Sequence, residues 1–258
     1  MLRQGSGPPL VLLHGVLGSE HMWRDVIPLV ATHHDTIAPT ALGHRGGRSP
    51  VDRPTRIAHV VDDAQRMLDE LRIEKAHFAG NSMGGWMALE LARRGRALSV
   101  CGLSPAGCWG PLKNGESRPA AEALGRAVRD TRSGRAVLPL LARFPRFRKW
   151  ALRVTAAHGD RASARDLVEL ADDLLGCVVS RDLLATNEYL DALEPLPCPI
   201  TLAWSAKDRI FPVRVNGELA RKLMPGARFI VLDDVGHVPM IDDPALVART
   251  ILETTGNA

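Results

Sequence analysis

The sequence is poor in aromatic residues, and it contains no long apolar run. Phe, Trp and Tyr make up 4% of its 258 residues, so bases of a nucleic acid would find few side chains to stack on. We find no nucleic-acid-binding motif. No stretch reaches the roughly 18 consecutive apolar residues of a membrane-spanning helix, and none resembles a cleavable secretory signal. We therefore expect a cytoplasmic protein with neither a nucleic-acid partner nor a membrane span.

Cysteine is also scarce, and its spacing argues against a disulfide framework or a metal site. None of the four cysteines forms a CxxC pair or stands at ligand-like spacing from a histidine. We predict free, mostly buried thiols and no bound metal. The four are Cys101, Cys108, Cys177 and Cys198.

The net charge of +4 is unevenly distributed along the chain. Residues 112–165 contain thirteen Lys and Arg, from Lys113 to Arg165, against four acids, a net charge of +9 that leaves −5 for the remainder. Such a segment could attract an acidic carrier, an anionic substrate or a membrane surface. It could equally be a solvated, arginine-rich helical face.

Short apolar runs alternate with helical patterns, which predicts an α/β fold. Alternation of this kind favours a mostly parallel, doubly wound sheet with helices on both faces. We predict strands at 9–13, 35–38, 76–79, 98–103, 200–204 and 228–232. Helices are predicted at 56–71, 86–94, 164–175 and 244–253.

The stretch from about residue 109 to 180 interrupts this alternation. It contains helical patterns and no convincing strand, so we interpret it as a helical cap inserted over the sheet. The predicted division is a core of residues 1–110 and 181–258 with a cap of residues 111–180. A chain of 258 residues is long enough for one such domain with an insertion.

One motif predicts a nucleophile. Residues 80–84 read GNSMG and match G-x-S-x-G, between a buried strand and a helix. This tight strand-to-helix turn lifts the central side chain above the sheet edge, and glycines are needed where side chains would collide. Ser82 is therefore the candidate nucleophile, at the positive end of the helix dipole. A plain glycine-rich turn is the alternative.

A serine hydroxyl needs a base, and two later loops supply the missing groups. Asp208 and His237 each follow a predicted strand, so both lie at the carboxyl edge of the sheet, where open α/β sheets bind ligands. Their order after Ser82 is the one expected of hydrolases with this turn. The rivals are Asp233 and Asp234 for the acid, and His44 and His158 for the base.

Acyl transfer also requires donors for an oxyanion. We predict the backbone N–H groups of Met83, directly after the nucleophile, and of Val16, in the glycine-bounded loop after the first strand. His14 is expected to be structural. The substrate pocket is predicted to include Leu17, Trp109, Ile210 and Val238, although core packing is the alternative for Trp109 and Ile210.

Five stretches together resemble the α/β-hydrolase superfamily over essentially the whole chain: residues 12–19, 41–49, 78–92, 203–212 and 233–244. The resemblance implies an enzyme without metal or cofactor that forms an acyl-enzyme, with Ser82 as nucleophile, Asp208 as acid and His237 as base. Epoxide hydrolases and haloalkane dehalogenases of this superfamily use an aspartate nucleophile, so serine at position 82 argues against both.

The resemblance has two departures. Members usually have eight strands, but so few residues precede the first strand here that we expect six, with the N-terminal strands missing or reduced. The strand-to-helix turn around Ser82, the nucleophile elbow, also resembles that of carbon–carbon hydrolases of ring-fission products. Those enzymes usually carry an aromatic residue where Val238 stands. We predict hydrolysis of a small-molecule carboxylic ester or thioester. The alternatives are carbon–carbon hydrolysis and a catalytically idle small-ligand-binding protein.

Overall fold

The computed structural model describes residues 1–110 and 118–256. Lys113 and Glu116 of the basic segment, and the first seven residues of the predicted cap, lie outside this range. Within it the chain forms one seven-stranded sheet and eleven α-helices. The strands are β1 (Leu2–Gln4), β2 (Pro9–Leu13), β3 (Asp35–Ala38), β4 (Ala76–Asn81), β5 (Ala97–Leu103), β6 (Ile200–Ser205) and β7 (Arg228–Leu232).

The sheet confirms the predicted topology. Its order is β1-β3-β2-β4-β5-β6-β7, and the six strands from β2 to β7 pair in parallel. The expected reduction at the N-terminus takes the form of β1, a three-residue strand that pairs antiparallel with β3. Arg3 of β1 and Asp35 of β3 form an ion pair of 2.6 Å across this edge.

Helices cover both faces of the sheet. The helices are α1 (Ile27–Val30), α2 (Ile57–Glu70), α3 (Met83–Arg93), α4 (Arg118–Gly134), α5 (Leu138–Leu141), α6 (Pro145–Ala151), α7 (Ala164–Gly176), α8 (Ser180–Leu184), α9 (Glu218–Leu223), α10 (Pro239–Asp242) and α11 (Pro244–Thr255). Because side chains alternate along a strand, Val11 and Leu13 pack with α2 and α3, whereas Leu10 and Leu12 pack with α1 and α11. Central strands such as β2 and β6 are thus buried on both faces, which explains their mainly apolar sequences.

The insertion between β5 and β6 is helical throughout its described residues, from α4 to α8. It has a small apolar cluster of its own, formed by residues such as Leu138, Leu152 and Leu167. Helix α7 begins with a capping box, in which the Ser163 hydroxyl and the Asp166 carboxylate each accept a backbone N–H from the other residue. The helical insertion is as predicted, while its boundaries at 111 and 180 remain a prediction.

Two further observations concern the cysteines and the apolar character of the helices. All four cysteines are free thiols, as expected, and Cys198 alone among them is only partly buried. No helix in the described ranges is long and apolar enough to cross a bilayer.

Candidate active site

Ser82 occupies a strained turn between β4 and α3. Its backbone has φ 56° and ψ −117°, a conformation that side chains rarely adopt and that clusters at functional sites. The flanking glycines show why the turn needs them. A Cβ atom on Gly80 would stand 2.2 Å from the Gly84 carbonyl oxygen, and one on Gly84 would stand 2.0 Å from that of Leu13. The turn therefore has room for glycine only at both positions, as the G-x-S-x-G pattern indicated.

Asn81 links the turn to the loop that carries His237. Its side-chain Nδ2 donates to the carbonyl oxygens of His237, at 2.8 Å, and of Leu103, at 3.2 Å. The Ser82 N–H also donates to the Leu103 oxygen, at 3.0 Å. The ends of β4 and β5 and the His237 loop are thus joined at one point. Sequence reasoning did not single out Asn81, because a buried amide with backbone partners has no motif of its own.

Asp208 and His237 form a buried imidazole–carboxylate pair. His237 Nδ1 lies 2.7 Å from Asp208 Oδ2, and their side chains are 6% and 0% exposed. The other carboxylate oxygen of Asp208 accepts the backbone N–H groups of Ile210 and Phe211, both at 2.8 Å. With Nδ1 donating to Asp208, His237 presents Nε2 as an acceptor.

Ser82 lies at the same edge of the sheet as this pair but is not hydrogen-bonded to it in the described residues. Within the described residues, the His237 ring bonds to Asp208 and its carbonyl to Asn81, and neither bonds to the Ser82 hydroxyl. Hydrogen bonds between catalytic groups are often long or misaligned without substrate and tighten when it binds. The link through Asn81 holds the two residues at the same edge of the sheet, as their positions after β4 and β7 predict.

Two backbone N–H groups beside Ser82 are available to a ligand. Met83 is the first residue of α3, so its N–H has no acceptor within the helix. In the described part of the chain, the N–H of Val16 donates to no backbone oxygen. The Val16 loop abuts the nucleophile, since a Cβ on Gly15 would stand 3.3 Å from the Ser82 Cβ. These are the two groups that sequence analysis proposed as oxyanion donors.

A small apolar cavity, partly open to solvent, contains Ser82 in its wall. Residues of the core and of the insertion line it together, including Val16, Met83 and Trp109 from the sequence prediction. Leu17, Ile210 and Val238 are buried but are not among its lining residues. The lining is Val16, Ile57, Ser82, Met83, Trp86, Ala106, Trp109, Ala120, Ala121, Leu124, Leu183, Leu184, Thr186 and Phe211.

Aromatic rings connect this cavity with the histidine. The Trp86 and Trp109 rings meet edge-on at 5.5 Å, Trp109 lies 5.7 Å from Phe211, and Phe211 meets the His237 ring edge-on at 5.1 Å. The Trp109 indole N–H donates to the Glu188 carbonyl oxygen at 3.0 Å, which fixes the ring. Phe211 therefore lines the cavity and contacts the imidazole, whereas the sequence prediction placed its neighbour Ile210 in the pocket wall.

The rival acids and bases have other partners. Asp234 is exposed and bonds to Lys207 and to His158 Nε2, and these two bonds lower the pKa of its carboxyl. Asp233 is exposed as well. His44 is buried and bonds to the Leu42 carbonyl oxygen at 3.0 Å, and burial lowers its pKa to about 3. In the described residues, neither His44 nor His158 is hydrogen-bonded to Ser82.

His14 has the structural position expected of it. Its Nδ1 donates to the Gly15 carbonyl oxygen at 2.8 Å, and its Nε2 accepts the Ala41 N–H at 2.9 Å. Burial lowers its pKa to about 4, so the ring is neutral and can make both bonds. His14 thus ties the Val16 loop to the loop after β3.

The site thus contains a serine on a strained turn, a buried imidazole–carboxylate pair and an apolar cavity. The sequence model of the alpha/beta hydrolase family matches residues 10–250. The chain therefore belongs to the α/β hydrolase family and is a hydrolase.

Individual relatives cover several chemistries. The chain is 37% identical to epoxide hydrolase EphH of Mycobacterium tuberculosis over 202 residues, 75% of this chain and 92% of that one. It is 30% identical to a pimeloyl-[acyl-carrier protein] methyl ester esterase of Aromatoleum aromaticum over 246 residues, 92% and 94% of the two chains. The solved 2-hydroxy-6-oxo-6-phenylhexa-2,4-dienoate hydrolase of Rhodococcus sp. strain RHA1 matches with a TM-score of 0.73 at 21% identity, covering 99% and 98%; this likeness concerns the fold alone.

Proposed function

We propose that the protein hydrolyses a small-molecule carboxylic ester or thioester through an acyl-enzyme on Ser82. The observation that carries this proposal is the buried pair of His237 and Asp208, joined at 2.7 Å, on a loop that Asn81 ties to the nucleophile turn. In this proposal His237 is the base and Asp208 holds its tautomer. A cytoplasmic location remains the expectation from sequence.

The orientation of the imidazole defines the proton transfers. Nδ1 donates to Asp208, so Nε2 accepts the proton of Ser82 as its oxygen attacks the ester carbonyl carbon. The imidazolium, stabilised by the carboxylate, then protonates the departing alcohol or thiol. Water repeats the sequence: it gives a proton to His237, attacks the acyl carbon and releases the acid with Ser82 regenerated.

The charge that develops on the carbonyl oxygen needs fixed donors. The N–H groups of Val16 and Met83 have no backbone acceptor among the described residues and flank Ser82. One such donor typically contributes about 2.7–4 kcal/mol to transition-state stabilisation. Because the donors are backbone groups, the proposal does not depend on the side chains at these positions.

The chemistry of serine favours an ester over an epoxide, although the relative from M. tuberculosis is named an epoxide hydrolase. Attack of a serine oxygen on an epoxide carbon would leave an alkyl ether, which water and a general base do not cleave. A carboxylate nucleophile would instead leave an ester that water can hydrolyse. The relative from A. aromaticum is named an ester hydrolase, which agrees with the proposal.

Removal of the nucleophile tests the proposal. We expect wild-type protein to hydrolyse p-nitrophenyl butyrate and Ser82→Ala to lose kcat by up to about 10⁶-fold, as in a serine protease. A fluorophosphonate should add covalently to the wild-type chain and not to the variant. Ser104→Ala is a matched control, because Ser104 is also buried and lies outside the cavity lining. Equal turnover by wild type and Ser82→Ala would contradict the proposal.

A further inference from the structure

An open groove on the insertion is lined by arginines. It lies between α4 and α8, and its charged lining consists of Arg118, Glu122, Arg126, Arg129 and Arg181. On α4 these residues recur at four- and three-residue steps, so they share one helix face. We call this surface the arginine groove. Its lining carries four positive charges and one negative charge.

The arginine groove borders the cavity that contains Ser82. Ala121 of α4 and Leu184 of α8 line both spaces. On α4 the neighbouring positions Ala120 and Leu124 line only the cavity, and Arg126 and Arg129 line only the groove. One helix therefore presents an apolar surface toward the nucleophile and a cationic surface toward solvent at the opening.

The charge of the arginine groove is largely unneutralised. Arg118 bonds to Glu122 at 3.1 Å, but no carboxylate of the described residues pairs with Arg126, Arg129 or Arg181, and all three are exposed. Arginines elsewhere on the insertion do have acidic partners, for example Arg135 with Asp172 at 2.7 Å. Adjacent guanidinium groups without counter-ions attract an anion, which they can bind through paired hydrogen bonds.

We propose that the arginine groove binds an anionic group of the substrate while the ester or thioester lies at Ser82 in the apolar cavity. This inference rests on the proposed function and names its substrate class: esters that carry an acidic group at a distance from the bond that is cleaved. Two sources share this chemistry. The anion is either a carboxylate on the acyl chain or the phosphates of a thioester carrier such as coenzyme A.

Three substrates test the proposal, and one of them is a neutral reference. They are p-nitrophenyl butyrate, which is neutral, mono-p-nitrophenyl glutarate, which has a carboxylate on its acyl chain, and butyryl-coenzyme A. In the variant Arg126→Gln/Arg129→Gln, we expect the ratio of kcat/KM for the anionic substrate to that for the neutral ester to fall about tenfold, which corresponds to about 1.4 kcal/mol of lost binding. A fall for the glutarate identifies an acyl carboxylate, and a fall for the thioester identifies carrier phosphates.

The variant Arg143→Gln/Arg146→Gln is the matched control. Both arginines are exposed residues of the same insertion without an acidic partner in the described residues, and neither lines the groove. It removes the same charge, so it corrects for the overall field of the protein. An unchanged ratio in the groove variant, or an equal fall in both variants, would overturn the proposal.

Failure of the proposed function gives a different result. In that case wild-type protein would hydrolyse none of the three substrates. Calorimetric titration with coenzyme A and with glutarate then tests the groove directly, since either anion should bind wild type more tightly than Arg126→Gln/Arg129→Gln, with affinity that decreases as salt is added. Equal binding to both proteins would refute the groove independently of catalysis.

Discussion

Gly84 lies where the start of α3 crosses the end of β2, with no room for a side chain. A Cβ atom there would stand 2.0 Å from the Leu13 carbonyl oxygen and 2.8 Å from that of His14, and both are backbone atoms that cannot move separately. We expect Gly84→Ala to lower the free energy of unfolding by about 1–3 kcal/mol or more, as overpacking does. Activity should fall as well, because the displaced strand leads into the Val16 loop. Urea denaturation measures the stability change.

Gly125, unlike Gly84, has room for a side chain. It lies within α4, where the nearest atom to an added Cβ is a guanidinium nitrogen of Arg129 at 3.8 Å. Alanine is about 0.8–1 kcal/mol better than glycine inside a helix, so Gly125→Ala should raise stability slightly. If both substitutions changed the urea midpoint in the same direction by similar amounts, the steric explanation of the elbow glycines would be wrong.

Individual residues also show how much of the candidate site can be predicted from the sequence. Ser82, Asp208 and His237 were predicted because each follows a strand of the predicted sheet; the structure pairs the last two and places Ser82 on a strained turn, while their catalytic roles stay a proposal. The residues that line the pocket were harder to predict. Ile210 and Phe211 both donate their N–H groups to Asp208, and the turn around that carboxylate directs Phe211 to the cavity and the His237 ring. Which of two neighbouring side chains faces a pocket depends on such a turn, and apolar character alone does not reveal it.

Among the elements, α7 ties the insertion to the core. Asp173 near its end is 1% exposed and accepts the Ser19 hydroxyl at 2.5 Å and the Arg45 guanidinium at 2.9 Å, two residues in separate core loops. Asp173→Ala would leave a buried hydroxyl and an arginine without their acceptor. We expect a loss of about 1–3 kcal/mol of unfolding free energy from the buried hydroxyl, and little from Arg45, because its side chain is 46% exposed and water can solvate it. Faster proteolytic cleavage of the insertion should accompany it.

Asp172, the adjacent residue on α7, is the control for this prediction. It pairs with Arg135 within the insertion, and both side chains are about one-third exposed. Surface ion pairs contribute only about 0–1 kcal/mol, so Asp172→Ala should change stability and proteolysis little. Similar losses in the two variants would show that α7 tolerates neither substitution for reasons unrelated to the contact with the core.

At the level of elements, prediction located the strands β2 to β7 and the helices α2, α3, α7 and α11, whereas α4, at 17 residues, was predicted only as part of a helical insertion without bounds of its own. The strands at 9–13, 35–38 and 228–232 have the predicted bounds, because the apolar residues of each end at turn residues. Helix α3 begins at Met83, three residues before its predicted start, because the elbow itself opens the helix. The strand β1 and helices of four residues such as α5 are too short for a periodic pattern; tertiary packing stabilises them.

For the molecule as a whole, two buried histidines make stability depend on pH. The rings of His14 and His44 meet at 5.0 Å. Burial lowers the pKa of His14 from 6.5 to about 4 and that of His44 to about 3, and the proximity of His14 adds to the shift of His44. The unfolded chain takes up these protons below about pH 6.5, whereas the folded chain does not. Folding is therefore opposed increasingly as pH falls from about 6.5 toward the folded-state values.

Each histidine should lower the unfolding free energy by up to about 1.4 kcal/mol per pH unit in that window. His44→Asn isolates one contribution, because an amide N–H can replace Nδ1 as donor to Leu42 and Nε2 has no partner among the described residues. Urea unfolding at several pH values should therefore give a shallower pH dependence for the variant than for wild type. Carboxylates titrate in both proteins, so their contribution cancels in the difference. Identical slopes would mean that His44 is protonated in the folded protein, with its loop opened to water.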